Sequence, residues 1–157
     1  MMATGVFHKV ATKRHSAFYD VENDVPDYPS AYGAAIWAGN DQWLYLYDEY
    51  DLWKVDPAGQ LPPENLTKGR SRKEVYRYIH LDKDNNFLNN RDSILLHMVN
   101  KDTHQEGYCW YQFSTKKMLP VFTENLHYGP RPLFSDRCES LIFTKESFVQ
   151  FPDWHLV

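Results

Sequence analysis

The sequence predicts an all-β protein, a partial β-propeller of about three four-stranded antiparallel blades, on three observations. Short apolar runs bounded by turn residues recur along the chain, and helical periodicity is hard to find. Aromatic residues make up 16% of the sequence, and such side chains suit a pleated, half-buried surface. The apolar runs also recur at roughly 40 to 50 residues, which is the spacing of propeller blades.

A first blade is predicted over residues 31–70. Residues 43–47 read Trp-Leu-Tyr-Leu-Tyr, a continuous apolar run typical of an inner strand that is covered on both faces. Residues 50–55 are predicted to form the returning strand, and residues 56–59 (Asp-Pro-Ala-Gly) supply the turn that ends it. This order of strands and turns indicates one antiparallel sheet.

A second blade is predicted over residues 71–129 and a partial blade over residues 130–157. The predicted strands are residues 76–81, 93–99, 107–113 and 118–123, followed by 133–134, 140–144 and 148–151. At the other end, residues 1–30 are predicted to hold the final strands of an earlier blade, at 6–10 and 16–19, and then a linker over 20–30. The chain is therefore expected to be one propeller fragment.

A hexapeptide repeat supports the prediction of equivalent sheets. Residues 64–69 read Glu-Asn-Leu-Thr-Lys-Gly and residues 124–129 read Glu-Asn-Leu-His-Tyr-Gly, so the two copies share Glu, Asn, Leu and Gly. Their offset is 60 positions (124 − 64). Asn65 and Asn125 are expected to cap turns by bonding to nearby backbone. The repeat agrees with the spacing of the predicted strands, and together they favour a propeller.

Charge and hydropathy argue against two classes of partner. The formal net charge is −4, and the sequence has no basic stripe of the kind that a nucleic-acid backbone requires. The cationic residues within 68–73 are interpreted as a solvated loop. No stretch approaches the roughly 18 apolar residues of a membrane helix. We therefore expect neither nucleic acid nor a membrane span.

No catalytic residue, metal site or cofactor is predicted for this chain. Residues 69–73 come nearest to the G-x-S-x-G nucleophile elbow but lack its second glycine. The seven histidines include no H-E-x-x-H motif, and His97 is interpreted as a satisfied core residue. Cys109 and Cys138 form no C-x-x-C pair and are interpreted as small buried hydrophobic residues.

Residues 36–69 resemble a blade of the prolyl oligopeptidase family of serine peptidases. The matching stretches are Tyr-Asp at 47–48, Asp-Leu-Trp at 51–53, Asp-Pro at 56–57 and Asn-Leu-Thr at 65–67. Residues 143–154 also look like a late propeller strand of these proteins. The resemblance covers most of residues 30–157. Its motifs are moderately specific, because similar blades occur in TolB-like proteins that have no hydrolase domain.

The resemblance implies a non-catalytic segment that caps the active site of a serine peptidase and gates its peptide substrates. The implied partners are peptides and the hydrolase domain of the parent chain, whose Ser-Asp-His triad no position here can receive. A periplasmic or secreted location is slightly favoured. A stand-alone propeller that serves binding or assembly is the alternative, and a self-contained hydrolase ranks third.

Asp48, Glu49 and Asp51 place three carboxylates at one strand turn, for which two interpretations are open. They are a solvated turn, or they bind the amino terminus of a peptide, as an acidic pair does in some relatives. Three blades are too few to close a ring of four to eight blades. We therefore expect open blade edges and self-association through them.

Overall fold

The structure is a computed structural model that describes residue 7 and residues 9–81, 86–88, 92–129, 132–135 and 140–157. Its strands are β1 (Ala34–Ala38), β2 (Leu44–Tyr47), β3 (Leu52–Val55), β4 (Glu64–Asn65), β5 (Glu74–Tyr78), β6 (Phe87–Leu88), β7 (Ser93–Asn100), β8 (Glu106–Gln112), β9 (Lys117–Glu124), β10 (His127–Tyr128), β11 (Leu133–Phe134), β12 (Leu141–Ser147) and β13 (Gln150–Leu156). The two helices of the described residues, Gly39–Asp41 and Arg70–Arg72, have three residues each, and neither could cross a membrane. The all-β prediction is confirmed.

The first of two compact units comprises Met1–Lys68 and Asn85–Arg91 and holds a five-stranded sheet in the order β4-β3-β2-β1-β6. Strands β1 to β4 follow one another in antiparallel pairs, and the side chains of Tyr45, Leu52 and Val55 are buried. Strand β6 adds a parallel partner to β1. This fifth strand was not predicted from the sequence.

The second unit comprises Gly69–Asp84 and Asp92–Val157 and holds two sheets. One is an antiparallel sheet in the order β5-β7-β8-β9. Its inner strand β7 buries Ile94, Leu95 and Leu96 in succession, as expected of a strand that is covered on both faces. The predicted strands at 93–99, 107–113 and 118–123 are confirmed within one or two residues at each end.

The other sheet of the second unit has the order β10-β12-β11, with β13 paired to β12. Within the described part of the chain, β13 has no other strand partner, and Pro152 lies within it. The two sheets of this unit pack face to face through one buried cluster, which consists of Leu95, Tyr108, Tyr128, Leu141 and Phe143. The rings of Phe122 and Phe143 stack in this core with their centroids 5.0 Å apart.

Three predicted strands near the ends of the chain differ from the structure. Residues 16–19 form no strand; the backbone there makes an isolated bridge between Tyr19 and Ala31. The segment is held by side chains instead, since the Phe18 ring packs edge-on against Trp53 at 5.5 Å. Residues 6 and 8 of the predicted strand 6–10 lie outside the described residues, and residues 7, 9 and 10 belong to no strand. Residues 148–149 are a turn, so the last strand begins at 150.

The glycine that ends each hexapeptide repeat lies very close to a strand that comes later in the chain, β5 for Gly69 and β12 for Gly129. A Cβ at Gly69 would overlap the backbone carbonyl oxygen of Glu74, and a Cβ at Gly129 would overlap Oγ1 of Thr144. Neither glycine has a left-handed φ. Close approach rather than backbone conformation therefore requires glycine at both positions.

We predict that Gly129→Ala lowers the free energy of unfolding by about 1–3 kcal/mol, because the added methyl group overpacks against Thr144. The overlap is with a side-chain oxygen, so Gly129→Ala combined with Thr144→Ala should regain most of this loss. Urea unfolding of the four proteins of this cycle measures the coupling. Strict additivity of the two substitutions would contradict the close approach.

Candidate functional site

The predicted acidic residues lie together in the turn between β2 and β3, and they are buried. Asp48 is 0% exposed and Asp51 is 1% exposed, and Glu49 is also buried. The interpretation of these residues as a solvated turn is therefore wrong. A buried carboxylate is costly unless it is hydrogen-bonded, so the partners of each one decide what the turn can do.

Asp48 closes the turn with its side chain, which binds the backbone of the next residues. Its Oδ1 accepts hydrogen bonds from the N–H of Tyr50 at 2.9 Å and of Asp51 at 2.6 Å. Its Oδ2 accepts a hydrogen bond from the hydroxyl of Ser16, which lies 32 residues earlier in the chain. The Asp48 side chain therefore fixes the turn, and it also attaches the irregular segment around residues 16–19 to the β2–β3 turn of the same unit.

Asp51 fastens the first hexapeptide repeat to the start of β3. Its two oxygens accept hydrogen bonds from the Thr67 hydroxyl at 2.8 Å and the Asn65 side-chain amide at 2.9 Å. The Thr67 hydroxyl also accepts a hydrogen bond from the N–H of Leu52 at 3.1 Å. Asn65 Oδ1 accepts hydrogen bonds from the N–H of Thr67 and of Lys68, which confirms the predicted cap.

Glu106 plays the same part in the second unit. It begins β8, and its carboxylate accepts hydrogen bonds from His127 Nδ1 at 2.8 Å and from the N–H of Tyr128 at 3.3 Å. Thr67 and His127 occupy the same position of the repeat, 60 residues apart (127 − 67). We call this arrangement the carboxylate anchor: an acid at the start of a strand that binds the fourth residue of the hexapeptide repeat.

His97 is the third partner of Glu106, with its Nε2 3.1 Å from the carboxylate. Its ring lies beside Tyr108 at 5.2 Å between centroids. Burial holds the pKa of His97 below its usual value, and the neighbouring carboxylate of Glu106 opposes that shift. His97 is therefore a hydrogen-bonded core residue, as predicted.

An open cavity of about 900 Å³ lies next to this anchor in the second unit. Its walls come from the loop before β8, from the turn before β10 and from the hairpin tip between β12 and β13. The lining side chains include His104, Glu106, His127, Glu146 and Phe148. No sequence motif marked this cavity, because its walls come from three segments that are distant in the chain.

The remaining sequence-predicted groups give no reactive site among the described residues. These residues contain no cluster of three or more side chains that could hold a metal ion. Cys109 is buried as predicted, and burial raises the pKa of its thiol to about 12, so that it is not a thiolate at neutral pH. Cys138 lies outside the described residues.

Comparison of the chain with protein-family models, with curated proteins and with solved structures gives no match. Its function is therefore inferred from its own residues and their geometry.

We predict that Thr67→Val lowers the free energy of unfolding by about 1–3 kcal/mol, because it leaves a buried oxygen of Asp51 and the N–H of Leu52 without their partner. Thr115→Val is the matched control, since the Thr115 hydroxyl makes an exposed hydrogen bond to Gln112. Equal effects of the two substitutions in urea unfolding would contradict the anchor.

We predict that His97 makes the second unit less stable in acid. Its pKa in the folded protein lies below the unfolded value of about 6.5, so the unfolded chain takes up the proton first. The contribution of His97 to stability is therefore complete above about pH 6.5 and is lost as the pH falls below that value.

His97→Gln keeps a donor near Glu106 but cannot titrate, so its unfolding free energy should change less between pH 7.5 and pH 5.5 than that of the unsubstituted protein. His104→Gln, outside this hydrogen-bonded group, is the control. Chemical denaturation at the two pH values measures the difference. If the unfolding free energy of His97→Gln changed between the two pH values as much as that of the unsubstituted protein, His97 would not be the source of the acid sensitivity.

Proposed function

We propose that this chain is a non-catalytic β-propeller segment that caps the active site of a serine peptidase of the prolyl oligopeptidase type and gates its peptide substrates. The carboxylate anchor carries the proposal. It recurs in two sheets that follow one another along the chain, through Asp51 with Thr67 and through Glu106 with His127. A repeated device for closing successive sheets is what a propeller of stacked blades requires.

In this proposal, substrate gating depends on the stiffness of the β-sheets. Each anchor ties its turn to a buried carboxylate by hydrogen bonds, which limits local opening of the sheet edge. A ring of such sheets above a hydrolase domain would admit short or extended peptides and exclude folded proteins. It would also restrict the entry of water. The catalytic triad would belong to the hydrolase domain of the parent chain.

Peptide binding at Asp48, Glu49 and Asp51 remains a prediction within this proposal. An incoming ammonium group would have to compete with the hydrogen bonds that these carboxylates already accept within the unit. Since Asp48 and Asp51 hold the turn together, their substitution would change stability as well as binding. A loss of binding in such variants is therefore informative only in protein that is shown to be folded.

A stand-alone binding or assembly module is the second candidate, and one surface favours it. Leu133, Ile142 and Leu156 are directly opposite one another on β11, β12 and β13 and are all exposed. Trp154, also exposed, continues this row along β13. A contiguous exposed apolar face of this kind is typical of an interaction surface, and self-association through it is part of this second candidate.

The proposed function is tested first on the chain alone and then on the protein from which it comes. We expect the chain alone to hydrolyse neither peptide p-nitroanilides nor p-nitrophenyl esters. In the full protein we expect a downstream hydrolase domain with a G-x-S-x-G elbow. In the full protein, Thr67→Val should raise kcat/KM for long peptides relative to short ones, because a less rigid sheet excludes long peptides less well.

The outcomes separate the candidates. If the full reading frame encodes no hydrolase domain and the chain assembles in a concentration-dependent way in light scattering, the capping role is contradicted. These results would favour the stand-alone binding or assembly module. Turnover by the isolated chain would contradict both. An unchanged ratio of long to short substrates in the Thr67→Val variant, at unchanged kcat/KM for short ones, would remove the gating role.

A further inference from the structure

The cavity of the second unit has one rigid wall. His127 lies on β10 and donates from Nδ1 to Glu106, whose other oxygen is bound by His97 and by the N–H of Tyr128. These three donors hold the Glu106 carboxylate within the fold. Glu106 is therefore a support for the wall, and it has little capacity left for a ligand.

Glu146 is the carboxylate of this cavity that is open to a ligand. It lies on β12 directly opposite His127, and its side chain is half-buried. Among the described residues it makes no side-chain hydrogen bond or ion pair. The described lining of the cavity contains no lysine or arginine. A half-buried carboxylate in a cavity whose described lining has no lysine or arginine favours a positively charged partner.

The wall on the other side of Glu146 is apolar. Phe148 and Val149 form the tip of the β12–β13 hairpin, and both side chains are fully exposed while lining the cavity. Leu126 contributes a further apolar surface. A partner that covers these side chains removes apolar surface from water, which favours binding independently of charge.

We propose that this cavity binds a peptide through a lysine or arginine side chain that is followed by an apolar residue. The ammonium or guanidinium group pairs with Glu146, and the apolar neighbour packs on Phe148 and Val149. The site deepens the proposed function, since it names the class of peptide that the segment would receive. It is separate from the acidic turn of the first unit.

The test is a ¹⁵N NMR titration of the isolated chain, which needs no hydrolase domain and so does not depend on the capping role. The probe is Leu-Lys-Leu, acetylated and amidated at its ends; the same peptide with norleucine in place of lysine is the matched control. We expect saturable shifts at the amides of residues 146–149, and an affinity about tenfold lower for the norleucine peptide, from loss of one charge-assisted bond.

Glu146→Gln should reduce the affinity for the lysine peptide about tenfold and leave that for the norleucine peptide unchanged. Glu22→Gln, an exposed acid in the other unit, should alter neither. Added salt should lower the affinity for the lysine peptide more than that for the norleucine peptide.

Equal affinities of the two peptides would overturn the proposal, as would an unaffected Glu146→Gln variant. Binding only by peptides with a free amino terminus would overturn the choice of a basic side chain. A failed capping role in the full protein, with these titration results intact, would leave the site standing.

Discussion

The fold depends on buried carboxylates that must find donors. Asp51 and Glu106 each stand at the start of a strand, and burying a charge there costs several kcal/mol unless the oxygens are fully bonded. The donors lie 16 and 21 residues later in the chain, so the return of the chain is fixed to one place. The hexapeptide repeat meets this requirement: its fourth residue supplies a donor, and its glycine allows a later strand to approach closely.

Two different donors satisfy the same requirement with different consequences. Thr67 is a neutral hydroxyl that donates to Asp51 and accepts from the backbone, and it is fully enclosed. His127 is an imidazole, half in solvent, and its Nδ1 is committed to Glu106. The first anchor is therefore purely structural, whereas the second leaves the other ring nitrogen beside a cavity. The same device thus closes one sheet and prepares a binding surface next to the other.

Local patterns predicted most of the strands, and long-range partners account for what was missed. The run at Ile94 to Leu96 is buried on both faces in the structure, as its unbroken apolar character indicated. Residues 16–19 form no strand; the segment is held by side chains, with Phe18 on Trp53 and Ser16 bonded to Asp48, which lies 32 positions later. The burial of the acidic turn could not be predicted for the same reason, since the partner of Asp48 at Ser16 lies 32 positions away in the sequence. Glu106 carries no motif of its own, and its role is visible only from the hydrogen bonds that it accepts from His97, His127 and the N–H of Tyr128.

The last strand leaves one row of backbone groups facing outward. Leu141 and Val157 exchange both backbone hydrogen bonds, so residues 153, 155 and 157 turn their polar groups towards β12 and residues 152, 154 and 156 turn theirs away. Pro152 has no N–H to offer in that row. An added strand would therefore find an interrupted ladder, which limits growth into extended cross-β assemblies. This sheet is therefore expected to associate through its side chains, whose shapes select the partner. Pairing through an open backbone edge would accept a strand of any sequence.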